Sequence, residues 1–138
     1  MIVFVDTSGI FALLVKNDHM HRRAKLYFAF LCEQQAHLVT TSFVIVETVA
    51  LLQHRIGINA VYDFQSKIIP LLEIIWADNG LYTKAIQRLL AANKRNISLV
   101  DCLSFEVMEL RGITYAFTFD KHFAEMGYSM PNLHDSHR

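Results

Sequence analysis

VFVDTSG, residues 3–9, is a β-branched and aromatic run that halts at a carboxylate, Asp6, before two hydroxyl residues and a glycine. A second apolar run, IFALLV, follows at once. The first run has the composition of a buried strand. Thr7 and Ser8 are favourable helix-start residues, so the second run continues as a short helix. Asp6 therefore stands where a strand hands over to a helix, either as an ordinary turn residue or as part of a site.

The rest of the chain repeats that alternation. Strands are expected at 2–5, 37–40, 71–76 and 115–119, with a fainter candidate near 130–133. Helices are expected at 8–16, 20–35, 42–56, 58–69, 80–93, 99–111 and 121–126. Apolar strands alternating with amphipathic helices imply an α/β fold with a mostly parallel sheet covered on both faces. The 138 residues make one domain of ordinary size, residues 1–138, with a short polar tail at about 134–138. No repeat, low-complexity segment or Pro/Gly-rich linker divides it.

Composition narrows the class. At 53% hydrophobic the chain is too apolar to be disordered. Its formal net charge of zero gives no global sign of a polyanion binder, so any such partner has to meet a local patch or metal ions. Cys32 and Cys102 form neither a metal-ligand pair nor a disulfide framework, and are read as buried free thiols in a reducing cytoplasm. The N-terminus lacks the basic flank and cleavage site of a signal peptide. The most apolar stretch, 42–52, is too short to span a bilayer and carries Glu47, so a soluble, cytoplasmic protein without membrane contact is expected.

In a parallel α/β sheet the C-terminal ends of the strands and the N-termini of the returning helices share one edge, and ligands bind there. Four carboxylates collect at it. Asp6 closes the first strand, where a helix-dipole partner is the plain structural alternative. Glu47 lies in SFVIVETVALL, with Phe43, Val44, Ala50 and Leu51 three and four residues away, so no local cation pairs with it. A helix that apolar is expected to be buried, leaving Glu47 protonated, in a long-range salt bridge or bound to a cation. Asp101, in SLVDCLSF, forms a capping-box pattern with Ser98, which does not exclude a second role. Asp120, in YAFTFDKHF, ends another β-branched and aromatic run and also suits a helix cap. Ser8 and Thr118 are supporting donors or simple turn residues.

Like charges crowded in one cleft cannot all ionise without a partner. All-oxygen donors select hard cations such as Mg²⁺ or Mn²⁺. Such ions activate water and clamp the oxygens of an in-line phosphoryl displacement. Asp6 is accordingly expected to be a metal ligand.

VDTSGIFALL, VIVETVALL, SLVDCLSFEVMELRGI and AFTFDKHFAEMGY, in this order and spacing, resemble the successive motifs of PIN-domain nucleases across nearly the whole chain. The resemblance implies an α/β/α sandwich around a five-stranded parallel sheet (four to five strands on the periodicity above). It also implies Mg²⁺- or Mn²⁺-dependent cleavage of single-stranded or structured RNA, leaving a 3′-hydroxyl and a 5′-phosphate. Asp6, Glu47, Asp101 and Asp120 fall on the family's acidic quartet, and Thr118 and Ser8 on its supporting hydroxyls. Asp6 and Asp101 would be direct ligands; Glu47 and Asp120 would be direct or water-mediated ones. Small single-domain members resemble VapC-type toxins, which implies an endoribonuclease restrained by an antitoxin protein.

Other polar residues are less decisive. His122 adjoins Asp120 and is read as a solvated helix-start residue in preference to a phosphate contact. Asp18, His19 and His21 are read as a cap and surface, and His134 and His137 as tail. Lys16, Arg22, Arg23, Lys25, Arg55, Lys94, Arg95 and Lys121 are candidates for a phosphate track. Leu26, Tyr27, Phe28, Phe30 and Leu31, with Ile56, Ile58, Val61, Tyr62 and Phe64, exceed what one sheet face needs. They imply either a packed helical hairpin or, with the family's habit, a two-fold homodimer.

Two rival classes remain at this level. A Mg²⁺-binding phospho-receiver domain needs adjacent acids after the first strand and an acceptor after a middle one; residue 7 is Thr, and Asp78 only approaches the second requirement. A non-catalytic PIN-like interaction module would keep the carboxylates as a relic.

Overall fold

In a computed structural model of the chain, residues 1–133 are described. The tail at 134–138, with His134 and His137, lies outside them. Four strands form one parallel sheet: β1 (Ile2–Val5), β2 (His37–Thr41), β3 (Leu72–Ile75) and β4 (Tyr115–Phe117), in the order β3-β2-β1-β4. Helices α1 (Thr7–Leu14), α2 (His21–Glu33), α3 (Ser42–Arg55), α4 (Ile58–Asp63), α5 (Asn79–Ala92), α6 (Leu99–Arg111) and α7 (Lys121–Glu125) cover it.

The period-2 geometry of β1 sorts the core into two faces. Phe4 points to one, stacking on Phe123 of α7, which meets Phe105 of α6 edge-on. Val3 and Val5 point to the other. Val5 pairs in register with Phe117, whose ring packs against Phe28 of α2. Val3, Phe4, Val5, Phe117 and Phe123 are fully buried. Each such side chain contributes about 1.5–3 kcal/mol on leaving water. The result is the expected α/β/α sandwich.

Local chemistry sets the ends of the elements. The strand expected at 115–119 stops at Phe117, because the next two residues turn their polar groups away from the ladder: the Thr118 hydroxyl donates to Asp6, and the Phe119 N–H donates to Ser8 Oγ. The candidate near 130–133 reduces to one bridge, Tyr115 to Ser129, so the described sheet has four strands. The single helix expected at 58–69 breaks after Asp63 into a π-helical turn, Phe64–Ile68, and a 3₁₀ turn, Ile69–Leu71. Pro70 has no N–H to give an α-helical ladder, which accounts for the change of pitch. Gly112, in the left-handed region at φ 64°, ends α6, and the N–H of Ile113 returns to the Met108 carbonyl.

Three expectations change. Helix α3 is not buried all round: Val46 is exposed and Glu47 is half-buried at the sheet edge. Of the apolar side chains assigned to a partner surface, Phe30, Leu31 and Phe64 belong to the core, and Tyr27, Phe28 and Val61 are half-buried against it. Leu26, Ile56, Ile58 and Tyr62 stay exposed. Cys102 is buried as expected, whereas Cys32 is exposed. Among the described residues no helix is long and apolar enough to cross a membrane.

Candidate active site

Asp6 is the N-cap of α1 and is 3% exposed. Its Oδ2 accepts from Ser8 Oγ at 2.7 Å, from Thr118 Oγ1 at 2.9 Å and from the Ser8 N–H at 3.4 Å. The cap role and the proposed ligand role thus fall on one side chain. Close passage of α1 over the end of β4 makes this possible. A Cβ at Gly9 would lie 2.5 Å from the Phe117 carbonyl oxygen, so only glycine fits. The Asp6 N–H itself bonds that carbonyl at 3.1 Å.

Asp101 is a capping residue whose carboxylate also reaches the candidate site. Ser98 Oγ accepts from the Asp101 N–H at 3.0 Å, and the Asp101 carboxylate accepts from the Ser98 N–H at 3.5 Å. The capping box read from the sequence is therefore present, and it holds a buried carboxylate at the edge. Glu47 reaches the same edge from α3, where the neighbouring Thr7 hydroxyl tempers the rise of its pKa. Thr48 Oγ1 in turn donates to Thr7 Oγ1 at 3.2 Å. No salt bridge engages Glu47 among the described residues, which removes the long-range pairing that would have explained it structurally.

Asp120 caps α7. Its Oδ1 accepts from the His122 N–H at 2.9 Å and from His122 Nδ1 at 2.8 Å. The Asp120 N–H rests on Thr118 Oγ1 at 3.0 Å, so Thr118 links Asp6 to Asp120. His122 corrects the sequence reading. It is buried, not solvated, and its Nε2 has no hydrogen-bond partner among the described residues. The one signal for this was its place beside Phe123, a core residue, on a helix too short to turn both away from the interior.

Electrostatics tie the four acids together. Burial raises the Asp6 carboxyl to about 6; bonds from Ser8 and Thr118 pull it down, and the charges of Asp101 and Asp120 push it up further. Burial also raises Glu47, with the charges of Asp6 and Asp120 adding to it. Asp101 rises for the same first reason, then through Asp120 and Glu47. Every pair of the four is thus within electrostatic reach. Asp101, Asp120 and His122 come closest, each offering a donor atom within 4.8 Å of the others. Asp6 and Glu47 stand outside that tighter group. Neither Lys nor Arg forms an ion pair with any of the four among the described residues; the one imidazole in contact with them is His122, on Asp120. Oxygen donors with one imidazole beside them suit a hard divalent cation.

Asp78, the near match to a phospho-acceptor, is instead the N-cap of α5, accepting from the Leu81 N–H at 2.9 Å. Of the track candidates, Arg23, Arg55 and Lys121 converge on a cleft of about 640 Å³ that opens beside Ser8, Thr118 and Asp120. Lys94 and Arg95 border a separate depression at the end of α5. His19 lines the main cleft, while His21 donates from Nδ1 to the Ala12 carbonyl at 2.8 Å.

A parallel sheet with acids gathered where its strands end defines a class, and comparison with known proteins agrees: the PIN domain family model matches residues 3–127, and this chain belongs to that family. It is 33% identical over 129 residues to the 23S rRNA-specific endonuclease VapC20 of Mycobacterium tuberculosis, covering 91% of this chain and 95% of that one. The crystal structure of VapC20, a sarcin-ricin loop cleaving toxin, superposes with a TM-score of 0.81 at 31% identity over 93% of this chain and 96% of that one. FitAcB from Neisseria gonorrhoeae shares the fold, with a TM-score of 0.64 at 20% identity over 97% and 99% of the two chains.

Proposed function

We propose that this chain is a metal-dependent endoribonuclease acting on unpaired RNA, the toxin of a toxin–antitoxin pair, with residues 1–138 as its single catalytic domain. The observation that carries the reading is the set of four mutually interacting carboxylates, three with raised pKa, that meet no Lys or Arg. The kinship with an endonuclease of 23S rRNA supports RNA as substrate, and the target of that relative favours a loop in a structured RNA. An antitoxin partner and a cytoplasmic setting belong to the same proposal, and the kinship with a toxin supports the first of them.

Asp6, Glu47, Asp101 and Asp120 would hold Mg²⁺ or Mn²⁺, and the bound ion would supply the Lewis acidity and charge neutralisation for in-line displacement at phosphorus. The chain's own groups prepare the site. Ser8 and Thr118 fix Asp6, Ser98 fixes Asp101, and His122 fixes Asp120. Such anchored donors are what a phosphoryl-transfer site needs, since placement and electrostatics do most of the work there. Exposed Ile58 and Tyr62, with Leu26 and Ile56, support a homodimer.

The test is cleavage of a mixed RNA pool as Mn²⁺ is titrated into metal-stripped protein. Cleavage is expected to rise from background with Mn²⁺ and to stop on adding EDTA. The Asp6→Asn protein is expected to be at least about a thousandfold slower with its fold intact. Metal-independent cleavage, or wild-type turnover by Asp6→Asn, would contradict the assignment.

A further inference from the structure

The cleft beside the acidic edge is built from two aromatic rings, each under a guanidinium. Arg23 lies over Phe119, 6.0 Å from guanidinium carbon to ring centroid, and Arg55 lies over Phe11 at 5.7 Å. The pairs come from four separate elements, α1, α2, α3 and the segment after β4, and face one cavity of about 640 Å³. That volume lies in the range of about 300–1,000 Å³ that encloses a small organic ligand. Phe11 and Phe119 are half-buried, so each ring is anchored in the protein and presents part of its surface. Arg23, Arg55 and Lys121 are exposed and form no ion pair among the described residues, whereas Arg88 and Arg111 elsewhere are each tied to glutamates. Asp18 also lines the cleft, but its Oδ1 accepts from the Met20 N–H at 2.8 Å. Ser8, Thr118 and Asp120 form the wall shared with the acidic cluster.

We propose that this cleft is the subsite for a nucleotide next to the scissile phosphate, its base stacked on the Phe119–Arg23 and Phe11–Arg55 pairs and its phosphates met by Arg55, Arg23 and Lys121. The proposal rests on the nuclease reading and deepens it. Aromatic faces and guanidinium planes are the two surfaces on which unpaired bases stack, and free arginines meet phosphates. A base inside a duplex cannot reach such a cleft, so the subsite selects RNA whose nucleotide is splayed out. It also answers how a chain of zero net charge would engage a polyanion: three of its cations line the cleft that adjoins the acidic cluster.

The test uses fluorescence anisotropy with a labelled single-stranded hexaribonucleotide and no added divalent ion, beside steady-state cleavage with Mn²⁺. The Arg23→Gln/Arg55→Gln protein is expected to bind at least tenfold more weakly, with a salt slope lower by about 0.7 for each phosphate no longer neutralised. Phe119→Leu, which keeps most of the apolar volume, is expected to bind at least about fivefold more weakly with an unchanged salt slope. In cleavage both variants are expected to raise KM while kcat stays within about threefold and Mn²⁺ affinity is unchanged. Wild-type affinity and KM in both variants overturn the proposal while leaving the nuclease reading intact, and point to a protein segment as the occupant. Loss of kcat and Mn²⁺ affinity together, with KM unmoved, overturns it as well, because the residues would then serve the acidic cluster. If wild-type protein binds the oligonucleotide through these residues but cleaves no RNA, the nuclease reading fails and the placement beside a scissile phosphate fails with it, leaving an RNA-binding cleft only.

Discussion

His122 and Asp120 hold each other through two bonds, one to the backbone N–H and one to the ring, so the helix cap also fixes where the carboxylate points. If Asp120 is a metal ligand as proposed, removing a partner of this kind behind it changes metal affinity or turnover by about 10–100-fold. His122→Leu is therefore expected to weaken Mn²⁺ binding and kcat by about tenfold or more. His122→Asn, whose amide N–H can stand where Nδ1–H does, is expected to restore most of both. Equal losses in the two variants, tracking a common fall in melting temperature, would mean that His122 only packs. Asp6 and Asp120 were legible in the sequence because a carboxylate that halts an apolar run is a positional signal. Glu47 was legible because nothing nearby could pair with it. The burial of His122 was missed, since its place beside Phe123 on a short helix was the one signal and helical periodicity over so few residues does not say which way it faces.

At the level of elements, the site depends on α1 lying against the end of β4. Gly9 permits that approach, and the Ser8–Thr118–Asp6 bonds use it. Gly9→Ala is expected to cost about 1–3 kcal/mol, the range for overpacking a filled interior, and to lower cleavage by displacing Ser8 from Thr118. A melting temperature equal to wild type would show that α1 can shift freely. Where the sequence reading of elements erred, side chains outweighed periodicity. Thr118 and Phe119 look like strand by composition, yet their polar groups serve Asp6 and Ser8. Residues 58–69 look like one helix until Pro70 removes an N–H from its last turn. Tyr115 and Ser129 make a single bridge where a fifth strand was expected, because the segment after α7 pairs at one point only.

Across the whole molecule the acidic cluster sets how stability depends on pH. Asp6 has a folded pKa raised to about 6, and Glu47 and Asp101 are raised too. A carboxyl raised on folding stabilises the native state while protonated and loses that contribution as pH climbs through its folded value. For Asp6 the rise above an ordinary aspartate corresponds to roughly 3 kcal/mol. Glu73 acts with the opposite sign: Arg111 first and then His37 lower it to about 2, so its contribution is complete above its unfolded pKa and changes little between pH 5 and 7. In EDTA, thermal stability is expected to fall as pH rises from an ordinary aspartate's range through about 6, and added Mg²⁺ is expected to recover it most at pH 7. A flat or rising profile in EDTA would contradict the burial and crowding that raise these acids.

Assembly belongs to the same scale. Ile58 is 68% and Tyr62 74% exposed, beside Ile56, and light scattering at micromolar concentration is expected to give twice the 15.9 kDa chain mass. An Ile58→Glu/Tyr62→Glu protein is expected to run as the monomer. A wild-type monomer at that concentration would refute the pairing. This surface was only partly legible in the sequence: helical periodicity identified the apolar residues but could not say that Phe30, Leu31 and Phe64 turn inward while Tyr62 turns outward.

The central claim is that four carboxylates from four segments, none of them paired with a Lys or Arg among the described residues, together form one divalent-cation site. Calorimetric titration of Mn²⁺ into metal-free protein at pH 7, for wild type, Asp6→Asn and Asp101→Asn, tests it most directly. The account predicts saturable binding by wild type and at least a tenfold loss of affinity in each variant, with circular dichroism unchanged. Undetectable binding by wild type, or equal affinity in all three proteins, would contradict it.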